Sequence, residues 1–176
     1  MPLLTRDLVT ASRKPYKKTY RLNPGQHWRD AEETASQWEA YVSIDAEEYE
    51  PIGASIAREL IDAGAHLAGF IEMWAGRIVF VDQNLICQQI DGRLAEIIDT
   101  VRKANDGKLG GFPDVVGLFP DGRIAFREVK NIESKDRLGS KQHNLADLMR
   151  GLFGDQLDLQ VVEWGGASET KSENKS

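Results

Sequence analysis

Two carboxylates and one lysine in the second half of the sequence could do chemistry together: Asp114, Glu128 and Lys130. Side chains alternate along a β-strand, so Glu128 and Lys130 are expected on one face. Carboxylate oxygens are the ligands that Mg²⁺ prefers, and a lysine ammonium can orient an attacking water or neutralise charge on a phosphate. The three residues therefore predict metal-dependent hydrolysis of a phosphodiester.

The turn that precedes Glu128 decides whether the two carboxylates meet. Strands are predicted on either side of Pro120-Asp121-Gly122, over residues 114–119 and 123–130, because this tripeptide is a strong turn signal. With a connection of three or five residues, Asp114 lies directly opposite Glu128, and such pairs have Cβ atoms about 4.5–5.5 Å apart. Two ionised carboxylates at that separation repel each other and require a cation between them.

Mg²⁺ is the expected cation, bound by Asp114 and Glu128 with the backbone carbonyl of Val129 as a third ligand. The alternative is purely structural. In it, Asp114 caps a turn, while Glu128 and Lys130 are strand residues that point to solvent.

The elements that must position these residues follow from hydrophobic periodicity and turn signals. Helices are expected over residues 28–42, 51–63, 93–104 and 140–153, the last with Ser140 as its N-cap and an apolar face of Leu145, Leu148, Met149 and Leu152. Further strands are expected over residues 71–74, 78–81 and 157–164. This order predicts an α/β fold, a mixed central sheet flanked by helices.

The motifs resemble those of a known nuclease family. Gly111-Phe112-Pro113-Asp114, Glu128-Val129-Lys130 and Asp136-Arg137-Leu138 followed by Gln142 are similar to the VRR-NUC branch of the PD-(D/E)xK nuclease superfamily, over about residues 93–164. The resemblance implies a restriction-endonuclease-like core and Mg²⁺- or Mn²⁺-dependent cleavage of DNA, often branched or flapped, as in repair or recombination. Asp114 and Glu128 would be the metal ligands and Lys130 the catalytic lysine. Gly139-Ser140 and the linker 131–134 depart from the family pattern.

Two further residues are candidates for this site. The resemblance gives Gln142 a supporting role, and helical spacing agrees, since Gln142 precedes the apolar Leu145 and Met149 by three and seven residues and so faces inward. The family also has an acid on an upstream helix. Glu59 is the candidate, because a helical wheel places it within the apolar stripe of residues 51–63, although Glu50 or another acid remains open.

Charge is distributed unevenly along the chain. The net charge is −6, yet residues 1–22 hold six basic residues against one acid, and residues 28–50 hold eight acids against one arginine. We expect a basic, flexible arm at residues 1–25, either solvated or contacting phosphates, and an acidic helical extension at 26–50. A nuclease domain is expected over residues 51–166, as the resemblance implies, and a disordered tail is expected over residues 167–176. Lys135, Arg137 and Lys141 are the expected DNA contacts.

Other features narrow the setting of the protein. Cys87 is the single cysteine, so no disulfide within the chain is expected. Residues 1–9 lack the apolar run of a signal peptide, and no apolar run in the sequence is long enough to cross a bilayer. These features predict a cytoplasmic protein with no membrane partner, and the resemblance extends to small phage-type resolvases. A homodimer is expected by analogy with such enzymes. The alternative function is a nuclease-fold protein that does not cut and instead binds DNA or a protein partner.

Overall fold

The computed structural model describes residues 3–7, 16–21, 24–25, 32–40, 51–74, 77–131 and 135–165. Its elements are β1 (Leu3–Asp7), β2 (Tyr16–Arg21), β3 (Glu32–Ala40), α1 (Ile52–Asp62), β4 (Leu67–Trp74), β5 (Arg77–Asp82), β6 (Cys87–Gln88), α2 (Gly92–Ala104), β7 (Val115–Leu118), β8 (Ile124–Asn131), α3 (Ser140–Phe153) and β9 (Leu157–Gly165). The expected α/β fold with a mixed sheet and helical cover is confirmed.

Seven strands form the central sheet in the order β1-β9-β8-β7-β4-β5-β6. The strands from β8 to β6 pair antiparallel with their neighbours, and β4 and β7 are neighbours although β5, β6 and α2 lie between them in the chain. Strand β9 pairs parallel with both β8 and β1. The parallel step from β8 to β9 requires a crossover, which α3 provides. Strands β2 and β3 pair with each other in a separate two-stranded sheet.

The alternation of side chains in β8 separates the two sides of the sheet. Ala125 and Val129 pack in the core beside α1, whereas Ile124 and Phe126 pack in the core beside α2 and α3. The buried stripes of α1 and α2 contain small and aliphatic side chains at helical spacing, namely Gly53, Ala54, Ile56, Ala57 and Leu60 in α1 and Leu94, Ile97, Ile98 and Val101 in α2. Glu128 and Lys130 follow Ile124 and Phe126 at intervals of two residues, so they lie on the same side of the sheet, that of α2 and α3.

The predicted helix over residues 28–42 is wrong where the structure describes it, since residues 32–40 form strand β3. The antiparallel register sets Lys17 opposite Glu39 and Arg21 opposite Glu32, and opposite charges across a strand pair favour such pairing. Pairing with β2, which is distant in the sequence, thus determines the structure of residues 32–40 despite their helical periodicity. The flexible arm expected at residues 1–25 also contains strands, β1 in the central sheet and β2 beside β3.

Smaller corrections concern α3. Its N-cap is Gly139, and Ser140 is already the first helical residue. Leu145 and Met149 are buried as expected, but Leu152 is exposed, and Ala146 takes its place in the buried face. The remaining predicted helices and strands are confirmed with slightly different ends. The expected disordered tail 167–176 lies outside the described residues, and in the part that is described no helix has both the length and the apolarity to cross a bilayer.

Candidate metal centre

The register of the β7–β8 hairpin brings the two carboxylates together. Val115 pairs with Arg127 and Leu118 with Ile124, so the five-residue connection sets Asp114 opposite Glu128, as expected from the turn. The main chain of Asp114 is fixed on its other side, because its carbonyl accepts a hydrogen bond of 2.7 Å from the Ile71 N–H of β4. Its carboxylate Oδ2 accepts a hydrogen bond of 2.7 Å from the Val129 N–H.

Glu128 is 4% exposed and Lys130 is 6% exposed, so neither points to solvent. The Lys130 Nζ lies 2.9 Å from the Glu128 Oε1. The same oxygen accepts a hydrogen bond from the Gln142 Nε2 of α3. The purely structural alternative, with solvent-facing strand residues at 128 and 130, is therefore wrong.

Asp136 also contacts Lys130. The sequence did not predict Asp136 as a residue of this site. The Asp136 Oδ1 lies 3.4 Å from the Lys130 Nζ. The Asp136 N–H donates a hydrogen bond of 3.2 Å to the carbonyl of Asn131, so the chain returns to the end of β8 after the linker. The Asp136-Arg137-Leu138 motif was the available signal for this contact.

The loop before Asp114 is fitted to the first turn of α3. Gly111 has a φ of +87°, and a Cβ atom on it would stand 2.8 Å from the Lys141 carbonyl oxygen, so both its conformation and its surroundings require glycine. Phe112 packs edge-to-face on Phe126 of β8 with ring centroids 5.4 Å apart. The loop is thus held by α3 on one side and by the sheet on the other.

Gln142 joins α3 to the carboxylates. Its Oε1 accepts a hydrogen bond of 2.8 Å from the Gly139 N–H, which closes the start of the helix, while its Nε2 donates to Glu128. Both ends of the amide are therefore used, and the side chain has one defined orientation. The inward position expected for Gln142 is confirmed.

The carbonyl of Val129 points toward the carboxylates. The Val129 N–H donates to Asp114, and the N–H and C=O of one strand residue point to the same side. If the register continued past Val115, position 113 would pair with Val129, but residue 113 is proline and has no N–H to donate. Pro113 therefore cannot donate a main-chain hydrogen bond to this carbonyl, and the Val129 carbonyl as a third oxygen ligand stays a prediction.

The pKa values of both carboxyls are raised. Burial raises the pKa of Asp114 to about 6, against the hydrogen bond from Val129, the charge of Lys130 and a hydrogen bond to Glu128. Burial and the charge of Asp114 raise the pKa of Glu128 to about 8, despite its hydrogen bond to Lys130. Burial opposes the charge of Lys130, but Glu128, Asp136 and Asp114 outweigh it, and the pKa of Lys130 is raised.

The donor set fits a hard divalent cation. The carboxyl groups of Asp114, Glu128 and Asp136 lie around one ammonium, and a bound divalent cation would displace the protons that the raised pKa values of Asp114 and Glu128 favour. Mg²⁺ takes one or two carboxylates and keeps several waters, so it needs no larger cage than Asp114, Glu128 and the Val129 carbonyl. Among the described residues no group of three or more His, Cys, Asp or Glu side chains has the arrangement of a metal cage.

Glu59 is not part of this centre. It is exposed on α1, and α1 packs on the side of the sheet away from Glu128. The wheel placed Glu59 near the apolar stripe, but small residues at 53, 54 and 57 rotate the buried face of α1 away from it. The other upstream acid, Glu50, lies outside the described residues.

The basic residues around the site divide into two groups. Lys135, Arg137 and Lys141, the expected DNA contacts, are exposed on the linker and the first turn of α3. Arg127 is a further basic residue of the same hairpin. It is instead buried on the α1 side of the sheet, where its Nη2 lies 2.8 Å from the Asp158 Oδ2.

A small cavity of about 10 Å³ opens beside the carboxylates, between α3 and the sheet. Its lining is mostly apolar and consists of Gly111, Pro113, Glu128, Leu138, Gln142, Ala146, Met149 and Leu159. A space of this size holds about one water molecule.

Comparison with known proteins found no matching family model, no similar curated protein and no similar solved structure. The chemistry open to Asp114, Glu128, Lys130 and Gln142 therefore follows from their geometry alone.

Proposed function

We propose that the protein is a Mg²⁺- or Mn²⁺-dependent DNA endonuclease of the VRR-NUC branch, with a restriction-endonuclease-like core. The observation that carries the proposal is the alignment of the half-buried Asp114 opposite the buried Glu128, with Lys130 2.9 Å from the Glu128 carboxylate. The described mixed sheet with helices on both faces is compatible with that core.

The cost of this arrangement supports a functional role. Two carboxyls buried together with raised pKa values destabilise a fold that has no use for them. Perturbed carboxyls with specific charged partners are concentrated at functional sites. A structural ion pair would need only Glu128 and Lys130, and a hydrogen bond to the Val129 N–H would not require the charged carboxylate that Asp114 places opposite Glu128.

Each residue has a separate task in the proposed reaction. Asp114 and Glu128 hold the divalent cation with the Val129 carbonyl, and Gln142 fixes the orientation of Glu128. When bound, the cation supplies Lewis-acid polarisation of the scissile phosphate and lowers the pKa of water. Lys130 places its ammonium beside the carboxylates, where it orients the attacking water and offsets negative charge that builds on the phosphate.

The choice of DNA as substrate depends on the resemblance and on the exposed basic residues. Lys135, Arg137 and Lys141 lie on the segments that carry Asp136 and Gln142, so a phosphate backbone that crosses them would pass close to the carboxylates. Branched or flapped DNA is the substrate class that the resemblance implies.

The test is a cleavage panel with purified protein on flapped, branched and linear DNA, with Mg²⁺, Mn²⁺ or EDTA. The wild-type protein should cut at least one substrate only when a divalent cation is present. Asp114→Asn and Lys130→Met should both reduce cleavage at least 100-fold. Asn at position 114 can still accept the Val129 N–H, so the hairpin should keep its structure.

Asp121→Asn is the matched control from the same hairpin. Asp121 is exposed, and its Oδ1 accepts the Arg123 N–H at 2.9 Å, a bond that asparagine can also make. Full cleavage by Asp114→Asn or Lys130→Met would refute the assignment. DNA binding without nicking on any substrate would instead favour the alternative, a nuclease-fold protein that binds and does not cut.

A further inference from the structure

Lys130 is a buried ammonium with two carboxylate partners. The Glu128 Oε1 lies at 2.9 Å, and the Asp136 Oδ1 at 3.4 Å. A buried cation is costly unless a partner of opposite charge stays with it. The shorter distance makes Glu128 the principal partner of Lys130.

Glu128 cannot serve Lys130 and a divalent cation equally well. Its Oε1 already accepts hydrogen bonds from both Gln142 and Lys130. A cation held by Glu128 draws on the same carboxylate and repels the ammonium at short range. This conflict requires a second partner for Lys130 at the moment when Glu128 engages a metal ion.

Asp136 has the properties of such a partner. Its side chain is 46% exposed, compared with 6% for Glu128, so it has more room to move toward the Lys130 ammonium. The distance of 3.4 Å exceeds that of a good charge-assisted hydrogen bond, about 2.7–2.9 Å, so the contact can shorten. The bond from the Asp136 N–H to the Asn131 carbonyl keeps the carboxylate at the end of β8.

We propose that Asp136 is a positioning residue that takes over the Lys130 ammonium when Glu128 is committed to a divalent cation. The proposal rests on the proposed function. In it, Asp136 allows Lys130 and a metal ion to be close to Glu128 at the same time. Asp136 itself touches neither the metal ion nor the substrate in this role.

The test is a double-mutant cycle read by calorimetric titration of the full chain with Mn²⁺, independent of cleavage. Asp136→Asn should weaken Mn²⁺ binding about tenfold in the wild-type background, because the ammonium then stays on Glu128 or loses its partner. In the Lys130→Met background the same substitution should change the affinity less than about twofold, since no ammonium remains to be held.

Asp147→Asn is the matched control, an exposed acid of α3 whose carboxylate lies 3.1 Å from Arg150. It should leave Mn²⁺ affinity unchanged in both backgrounds. An equal loss from Asp136→Asn in both backgrounds would mean that Asp136 acts on the metal ion by its charge alone, and would overturn the proposal. Unchanged affinity in Asp136→Asn would overturn it as well.

The failure of the proposed function gives a different result. Wild-type protein that takes up no Mn²⁺ at all would refute the metal site and this proposal with it. Mn²⁺ binding with the expected coupling, but without cleavage of any DNA, would support the role of Asp136 at the metal and refute only the nuclease activity.

Discussion

Gly111 lies directly against the main chain of Lys141, so that a Cβ atom on Gly111 would stand 2.8 Å from the Lys141 carbonyl oxygen and 2.9 Å from its carbonyl carbon. This contact joins the loop that ends at Asp114 to the helix turn that presents Gln142. The positions of the Asp114 carboxylate and of the Gln142 amide therefore both depend on one glycine.

Gly111→Ala should push the first turn of α3 away from the loop. Alanine at a φ of +87° costs about 1–2 kcal/mol by itself, and the clash with Lys141 adds to that cost. We expect the free energy of unfolding to fall by about 3 kcal/mol in urea titrations, and cleavage by the remaining folded protein to fall at least tenfold.

Gly107→Ala is the control for that substitution. Gly107 has a similar φ of +78°, but a Cβ atom there would meet no atom within 4 Å. It should therefore pay only the conformational cost and keep full cleavage. Equal losses of stability and of activity in the two variants would show that the contact with Lys141 does not position the site.

Gln142→Leu should uncouple α3 from Glu128. The substitution removes both hydrogen bonds of the amide, to the Gly139 N–H and to the Glu128 carboxylate, and leaves the buried Glu128 with one partner fewer. Losing them costs about 1–3 kcal/mol of stability, and the unfixed Glu128 should reduce cleavage at least tenfold. His143→Ala, an exposed position of the same turn, should change neither quantity. A Gln142→Leu protein with wild-type cleavage would contradict the supporting role.

The hairpin and its register could be predicted because their causes are local. The turn at Pro120-Asp121-Gly122 fixes which residues oppose each other, and the period of two fixes the face of Glu128 and Lys130. The apolar spacing of residues 93–104 was equally informative, since helix α2 forms there and its apolar residues Leu94, Ile97, Ile98 and Val101 are buried. Helix α3 was placed within a residue at its start, and the inward position of Gln142 followed from its spacing.

Other features depended on partners that are distant in the sequence. Strand β3 has helical periodicity of its own, but β2 supplies the hydrogen bonds and the opposite charges that favour a strand. The buried face of α1 is set by small residues that fit against the sheet, for example Gly53 against Phe70, and this rotates Glu59 into solvent. The contact of Asp136 with Lys130 requires the return of the linker to Asn131, which no local pattern specifies.

The stability of the metal-free protein should fall as pH rises from about 5 to 8. The pKa values of Asp114 and Glu128 are raised from 3.8 to about 6 and from 4.5 to about 8, so the folded state holds protons that the unfolded state releases. This contribution is complete below the unfolded pKa values and is lost as pH rises through the folded ones. We expect a loss on the order of a few kcal/mol, because one pKa unit corresponds to about 1.4 kcal/mol, measured by urea unfolding in EDTA.

Two comparisons separate this effect from a general response to pH. Glu128→Gln should remove most of the slope, because a neutral side chain releases no proton. Saturating Mg²⁺ at pH 8 should restore stability to the wild-type protein, since a ligand that binds only the folded state stabilises it by mass action. A metal-free wild-type protein that is equally stable at pH 5 and pH 8 would argue against the raised pKa values.

Arg127 should matter for folding and not for DNA. It is 7% exposed on the α1 side of the sheet, and its guanidinium donates to the Phe126 carbonyl at 2.9 Å and to the Asp158 carbonyl and Oδ2 at 3.0 and 2.8 Å. Arg127→Met strands a half-buried carboxylate, so we expect a loss of about 3 kcal/mol, because removing one partner of a buried pair leaves an uncompensated charge. Arg127→Met/Asp158→Leu should unfold at higher urea than Arg127→Met alone, since it removes both charges.

Affinity for flapped DNA, measured by fluorescence anisotropy on folded protein, should stay within about twofold of wild type in both variants. A tenfold loss of affinity would mean that Arg127 contacts DNA.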